Sequence, residues 1–106
     1  MSLYYRLGDL PRIPKNADLN SYLDPGNYCC NLNDTVKTLK NCPTGGEAFT
    51  MRVYYANGDA PYNGYIYINQ KITSYRNGEI YIRVYMGAPL TGQTWHTYKI
   101  QSSLIS

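Results

Sequence analysis

A chain of 106 residues is long enough for one modest hydrophobic core and too short for two, so we expect a single domain. Its net charge of +3 comes from scattered basic residues, which argues against nucleic-acid binding, because proteins of that class usually carry a basic patch or stripe. No run of about 18 apolar residues exists, so we expect no membrane span, and the N-terminus lacks the pattern of a signal peptide.

The aromatic composition is strongly biased, with 13 tyrosines against one Phe and one Trp. An aromatic ring with a polar tip suits half-wet positions such as strand surfaces, subunit interfaces and sugar-binding surfaces. Together with nine glycines, six prolines and frequent β-branched residues, the tyrosines predict a mainly β fold, built as a small antiparallel β-sheet domain.

The first part of the chain predicts an extended N-terminal arm over residues 1–14, because its apolar residues have no clear period and two prolines interrupt it. Residues 1–3 are interpreted as a partial remnant of cloning, and residues 15–106 as the β domain. Within that domain, residues 17–23 allow one turn of helix, and residues 27–32 predict a short strand.

The middle of the chain predicts a short helix and then a strand. Asn33 or Asp34 can cap a helix over residues 34–40, which ends before a proline because the residue preceding proline avoids the helical region. The stretch 49–55 alternates apolar and polar residues, as a half-buried strand requires. A last strand is predicted over residues 94–100.

The longest signal is a β-hairpin over residues 65–85 that turns at Arg76-Asn77-Gly78. A two-residue turn would place the isoleucines of its two strands on opposite faces. A three-residue loop with a left-handed Gly78 forms a bulge, pairs Ile72 with Ile82 and collects the isoleucines on one face. Because burial favours that register, we predict the bulged hairpin.

In that register the opposite face of the hairpin is rich in tyrosines. One interpretation is structural: the rings pack across strands and become buried in an oligomer interface. The other is a glycan-binding platform, in which rings stack on sugars while arginines and Asn69 donate hydrogen bonds. Arg83 also has a structural alternative, a cation–π contact with Tyr81 or Tyr85. The candidate ligand or interface residues are Tyr67, Tyr81, Arg83, Tyr85, Arg52 and Tyr54.

Catalytic machinery is hard to assemble from this sequence. The single histidine, His96, is interpreted as an ordinary strand residue, because nothing in the sequence pairs it with a nucleophile. The seven acidic residues mostly occupy turn and cap positions, whereas a glycosidase needs two facing carboxylates. We therefore predict no enzyme, no catalytic residue and no cofactor.

The cysteines argue against a metal centre. Cys29, Cys30 and Cys42 lack the C-x₂₋₄-C spacing of a zinc site, so no metal is predicted. Three cysteines do not make an even disulfide framework, and reduced thiols after cytosolic synthesis fit best. A Cys30–Cys42 bridge is the alternative.

Four stretches in a fixed order carry a resemblance to a known family: DLNSYLDPGNYCC at 18–30, NCPTGGEAFTMRVYY at 41–55, ITSYRNGEIYIRVY at 72–85 and WHTYKI at 95–100. Their order resembles the knob-like module of phage and pyocin tail fibres. The resemblance implies a structural and adhesive role at the distal fibre of a virion or tailocin, commonly within a trimer, and it implies no active site.

The sequence therefore predicts a non-catalytic structural or receptor-binding module of a phage or prophage tail fibre, with bacterial surface glycans as ligands. Its expected partners are other subunits of the same fibre, as a homotrimer. The expected location is the virion or tail particle, after synthesis in the bacterial cytoplasm without a signal peptide. The alternative is an accessory carbohydrate-binding domain of a larger enzyme.

Overall fold

The computed structural model describes residues 9–60, 64–88 and 92–100. In these ranges five antiparallel strands form one sheet in which every strand pairs with the next along the chain. The strands are β1 (Gly26–Cys30), β2 (Phe49–Tyr55), β3 (Ile66–Ser74), β4 (Glu79–Ala88) and β5 (Gly92–Ile100). A 3-10 turn, Leu19–Ser21, precedes β1, and the helix α1, Asn33–Val36, follows it. The predicted mainly β fold with one short helix is confirmed.

One face of the sheet is covered by the chain that precedes β2, and we call it the covered face. Ile13, Leu19 and Val36 come from that N-terminal segment and are almost fully buried. They pack against alternate side chains of the strands, as the period of two in a strand requires. The sheet contributes Cys30, Phe49, Met51, Val53, Ile68, Ile72 and Tyr85 to the same core.

The strand β2 has the bounds and the inward residues that its alternating pattern predicts. Phe49, Met51 and Val53 are each no more than 2% exposed, while Arg52 between them is exposed. Fully burying a side chain of this kind stabilises a protein by about 1.5–3 kcal/mol. The apolar side chains of this strand therefore fix which of its faces meets the N-terminal segment.

The described part of the predicted arm lies along the outer edge of β1. The amide of Ile13 donates to the carbonyl of Cys29 at 2.8 Å, and the amide of Cys29 donates to the carbonyl of Pro11 at 2.9 Å. These hydrogen bonds satisfy backbone groups that an edge strand would otherwise leave unpaired. Residues 1–8 lie outside the described residues, so the extent of the arm stays a prediction.

The helix α1 is shorter than the predicted 34–40, because the chain that follows its first turn pairs with a segment distant in sequence. The amide of Lys40 donates to the carbonyl of Ala17 at 2.9 Å, which ties this segment to the chain just before the 3-10 turn. Asn33 does not cap the helix as expected, since its side-chain oxygen accepts the amide of Ala48 at 2.8 Å. Both differences come from residues distant in sequence.

The β3–β4 hairpin has a four-residue loop, Tyr75–Gly78, in place of the predicted three-residue loop. Ser74 pairs with Glu79, and the amide of Gly78 donates to the carbonyl of Ser74 at 2.8 Å. Gly78 has a φ of 76°, so its predicted left-handed conformation is confirmed. The additional loop residue shifts the register of the two strands by one.

That shift changes which side chains share a face. Ile72 lies opposite Tyr81, and Ile82 lies opposite Lys71, so the predicted pairing of Ile72 with Ile82 is wrong. The isoleucines of β3 and β4 occupy opposite faces of the sheet. The covered face of β4 instead carries tyrosines and Arg83, whose long stems can fill a core while their polar groups find hydrogen-bond partners.

Gly78→Ala should destabilise the protein by about 1–2 kcal/mol, because a Cβ raises the energy of the left-handed conformation. Apart from the neighbouring residues in the chain, no atom of the described residues lies within 4 Å of the position that an added Cβ would occupy, so the loss of stability comes from the backbone conformation. Gly78→Asn is the matched control and should lose less, since Asn tolerates this conformation. Urea unfolding of the three proteins measures the difference, and an Ala variant as stable as the parent would contradict it.

Candidate functional site

The second face of the sheet, which we call the open face, carries no buried side chain among the described residues of β2 to β5. Its members on these strands follow from strand alternation and from the register of the strand pairs. They are Thr50, Arg52 and Tyr54 of β2, Tyr67, Asn69, Lys71 and Thr73 of β3, Ile80, Ile82, Val84 and Met86 of β4, and Thr94, His96, Tyr98 and Ile100 of β5.

The structure divides the six candidate residues between the two faces of the sheet. Arg52, Tyr54 and Tyr67 lie on the open face. The other three lie on the covered face, because the shifted register exchanges the faces of β4 relative to β3. These are Tyr81, Arg83 and Tyr85. The expectation of a single tyrosine-rich face is therefore wrong.

The residues on the open face form a small polar and aromatic group around Tyr54. The guanidinium of Arg52 lies 4.9 Å from the centre of the Tyr54 ring. The side-chain amide of Asn69, directly opposite Tyr54, donates to its hydroxyl at 3.3 Å. These contacts hold the ring in place and leave polar groups at the surface. We call Arg52, Tyr54, Tyr67 and Asn69 the Tyr54 cluster.

The Tyr54 cluster continues into a stacked pair of tyrosines. The rings of Tyr65 and Tyr67 are 6.4 Å apart and nearly parallel, at 9°. Tyr65 is 45% exposed, so part of this aromatic surface contacts water. A ring with adjacent hydrogen-bonding side chains can contact both the C–H surface and the hydroxyls of a sugar.

A second part of the open face is apolar and lies on β4 and β5. Met86 is 44% exposed, Tyr98 is 56% exposed and Ile100 is 43% exposed. Contiguous exposed apolar surface of this kind usually marks an interaction site. We call this surface the apolar stripe, and its members are Ile80, Ile82, Val84, Met86, Tyr98 and Ile100. The sequence did not indicate this stripe, because the predicted three-residue hairpin loop would place the isoleucines of β4 in the core.

Arg83 is buried on the covered face, where its guanidinium contacts other side chains of the protein. It is 3% exposed, and its guanidinium donates to the side-chain oxygen of Gln70 at 2.8 Å and to that of Asn20. It also lies 4.2 Å from the centre of the Trp95 ring. The aromatic partner in this cation–π contact is Trp95, so the expected contact with Tyr81 or Tyr85 is wrong. Burial lowers the pKa of Arg83 from its ordinary value, while the charge of Asp18 opposes that change.

Gln70 connects this guanidinium to the N-terminal segment. Its side-chain nitrogen donates to the carbonyl of Leu19 at 2.7 Å and to the carbonyl of Tyr22 at 2.9 Å. Gln70 lies directly opposite Arg83 in the register of β3 and β4, and it is fully buried. Buried polar groups of this kind are tolerated because each finds a partner.

Asp18 completes the polar contacts at the start of the 3-10 turn. Its carboxylate accepts the side-chain amide of Asn41 at 2.8 Å and the backbone amide of Asn20 at 2.9 Å. These hydrogen bonds, with that of Asn41 the larger, lower the pKa of Asp18 because they favour the charged form. The carboxylate thus has a capping role.

The remaining groups of chemical interest in the described ranges are His96 and the three cysteines. His96 is exposed on the open face opposite Val84. No three His, Cys, Asp or Glu side chains of the described residues come together as a group that could hold a metal ion. The three cysteines are free, with Cys30 in the core. No helix in these ranges has the length and apolar character that crossing a membrane requires.

The fold defines this chain as a small β domain with one covered and one open sheet face, and one solved structure contains a similar domain. The chain is similar to part of the R1 pyocin fibre of P. aeruginosa, solved for its C-terminal residues 323–701, with a TM-score of 0.60 over 83% of this chain. The sequence identity is 20%, and the match covers 21% of that fibre fragment. No family model matches the chain, and no curated protein matches it in sequence.

This similarity shows that the fold occurs within a tail-fibre protein. At 20% identity it concerns the fold alone, since one fold can serve many functions. The resemblance seen in the sequence is therefore confirmed at the level of a tail-fibre-like fold, while membership of the knob family stays a prediction.

Substituting either Arg83 or Gln70 should destabilise the protein, because each change removes the contact between them. Arg83→Leu leaves the Gln70 oxygen unpaired and Gln70→Leu leaves the guanidinium without one partner, so each should destabilise the protein by about 3 kcal/mol. Because the two changes remove the same contact, the double variant should lose at least about 1 kcal/mol less than the sum.

Urea unfolding of the parent, both single variants and the double variant measures this coupling. Thr97→Val is the control: it removes only the 3.4 Å contact between Arg83 and the Thr97 hydroxyl and should cost less than about 1 kcal/mol. Additive losses in the double variant would contradict the coupled network.

Proposed function

We propose that this chain is a non-catalytic structural module of a phage or prophage tail fibre that also takes part in binding the host receptor. The observation that carries the proposal is the open face, where one sheet surface joins an apolar stripe to a polar and aromatic cluster. The similarity in fold to a pyocin fibre supports the fibre context. In that context the protein is synthesised in the bacterial cytoplasm and resides in the virion or tail particle.

The apolar stripe is the surface that contacts other subunits of the same fibre, as a homotrimer. Monomeric soluble proteins rarely expose large contiguous apolar patches, because water contact with such a surface is unfavourable. A closed symmetric assembly would bury the same patch on every subunit. The predicted arm adds contacts to a neighbouring subunit only through residues that do not pair with β1, since Pro11 and Ile13 are hydrogen-bonded to Cys29 of the same chain.

The Tyr54 cluster is the surface that contacts a bacterial surface glycan. Tyr54 and Tyr67 supply ring surfaces, while Arg52 and Asn69 supply hydrogen-bond donors. A shallow site of this kind binds one sugar chain weakly, and several copies on one particle raise the effective affinity. The host receptor is therefore a repeating surface polysaccharide.

A second candidate function is an accessory carbohydrate-binding domain of a larger enzyme. The Tyr54 cluster favours it, because this group of side chains is complete within one chain and needs no partner subunit. The two functions differ in assembly, since only the fibre module requires the apolar stripe to be covered by copies of itself.

Ile82→Lys should convert the assembled protein to a monomer, because it places a charge in the middle of the apolar stripe. Light scattering on a size-exclusion column gives the mass, and we expect three chains for the parent. Tyr75→Lys is the control, since Tyr75 is 46% exposed in the β3–β4 loop and lies outside the stripe. A monomeric parent protein would refute assembly through this surface.

Tyr54→Ala should reduce glycan affinity by about tenfold, equal to about 1.4 kcal/mol, because it removes the central ring of the cluster. A glycan array identifies the ligand, and calorimetry with the parent and the variant measures the loss. Tyr75→Ala removes an exposed tyrosine elsewhere and should leave the affinity unchanged. Equal affinities of the Tyr54→Ala variant and the parent would exclude this surface as the glycan site.

A further inference from the structure

The open face contains a groove where β1, β2 and β3 lie side by side. Its volume is about 300 Å³. Two of its lining side chains are cationic, and three others are neutral hydrogen-bonding groups. We call it the basic groove, and its polar lining residues are Asn27, Thr50, Arg52, Lys71 and Thr73.

The strand register places these side chains in two rows. Arg52 lies directly between Asn27 on β1 and Lys71 on β3. Thr50 and Thr73 lie opposite each other in the adjacent row. The groove therefore presents two positive charges beside two hydroxyls and an amide, and none of its described lining residues carries a carboxylate.

The juxtaposition of Arg52 and Lys71 is unfavourable for the isolated chain. Like charges directly opposite each other on neighbouring strands repel and destabilise the pair. Both side chains are exposed, and within residues 9–60, 64–88 and 92–100 neither forms an ion pair; the ion pair found there joins Lys99 to Glu79. An anion bound between the two cations would convert this repulsion into attraction.

The groove is also continuous with the Tyr54 cluster, because Arg52 belongs to both. Its guanidinium lies against the Tyr54 ring on one side and lines the groove on the other. A guanidinium can bind a carboxylate or phosphate through two parallel hydrogen bonds, and an ammonium adds a second charge. A ligand that fills the groove would thus extend towards the aromatic surface.

We propose that the basic groove binds the anionic group of an acidic surface saccharide, with Arg52 and Lys71 as the charged contacts. The inference rests on the proposed glycan-binding function and specifies its ligand class. Sugar carboxylates and phosphodiesters share the required chemistry, namely a negative charge spread over two oxygens. Thr50, Thr73 and Asn27 donate hydrogen bonds to the same group or to adjacent hydroxyls. Because the cations are exposed, binding is weakened by salt.

The test uses the full chain in its assembled state, labelled with ¹⁵N, and three oligosaccharide probes of equal length. One probe is a neutral glucose oligomer, one contains glucuronic acid, and one is linked by glycerol phosphate. An acidic probe should bind about tenfold more tightly than the neutral one and shift the amide signals of 50–52 and 71–73. Added NaCl should weaken acidic binding alone. Preference between the two acidic probes identifies the anion, and either preference supports the proposal.

Charge variants make the test specific to the groove. Arg52→Gln and Lys71→Gln should each reduce the affinity for the preferred acidic probe by about tenfold. Lys71→Arg should retain it. Arg76→Gln is the matched control, because it removes an exposed positive charge from the β3–β4 loop, and it should have no effect.

Three outcomes would overturn the inference. Equal losses in the Arg76→Gln control would show that overall charge, and not the groove, attracts the anion. Equal binding of neutral and acidic probes at the Tyr54 cluster would refute the acidic ligand while leaving the proposed glycan function intact. If no probe shifts any amide signal, both the inference and the glycan-binding function fail.

Discussion

The contact on which the rest of this structure depends is the buried cross-strand pair of Gln70 and Arg83. Gln70 satisfies two carbonyls around the 3-10 turn while accepting from the guanidinium, which in turn donates to Asn20. The pair therefore fastens the N-terminal segment to the middle of the sheet. A buried guanidinium is costly unless its donors are used, so the network specifies one placement of that segment.

This internal network has a consequence on the outside of the sheet. With Arg83 and Tyr85 filling the covered face of β4, the alternation of the strand turns Ile82 and Val84 outward. The apolar side chains of β4 therefore lie on the open face because its polar and aromatic side chains occupy the core. A core built from the isoleucines of both strands would have placed Tyr81, Arg83 and Tyr85 on the open face of β4 instead.

The surfaces proposed for assembly and for ligand binding lie on different strands of the open face. The apolar stripe lies on β4 and β5, whereas the Tyr54 cluster and the basic groove lie on β1, β2 and β3. A subunit interface on the first area leaves the second accessible, so assembly and ligand binding can occur together. Many copies in one fibre would compensate for a shallow and salt-sensitive site.

The sequence by itself determined the elements whose signals are local. Strict alternation set the bounds of β2 and its buried side chains, and the left-handed preference of glycine set the conformation of Gly78. Only the tertiary structure decided the hairpin register, because loops of three and four residues are both compatible with the same local sequence. The one additional loop residue places Arg83 in the core, divides the candidate site between two faces and puts Ile82 on the open face. Periodicity fixes which side chains share a face within one strand, but contacts with distant residues decide which face is buried.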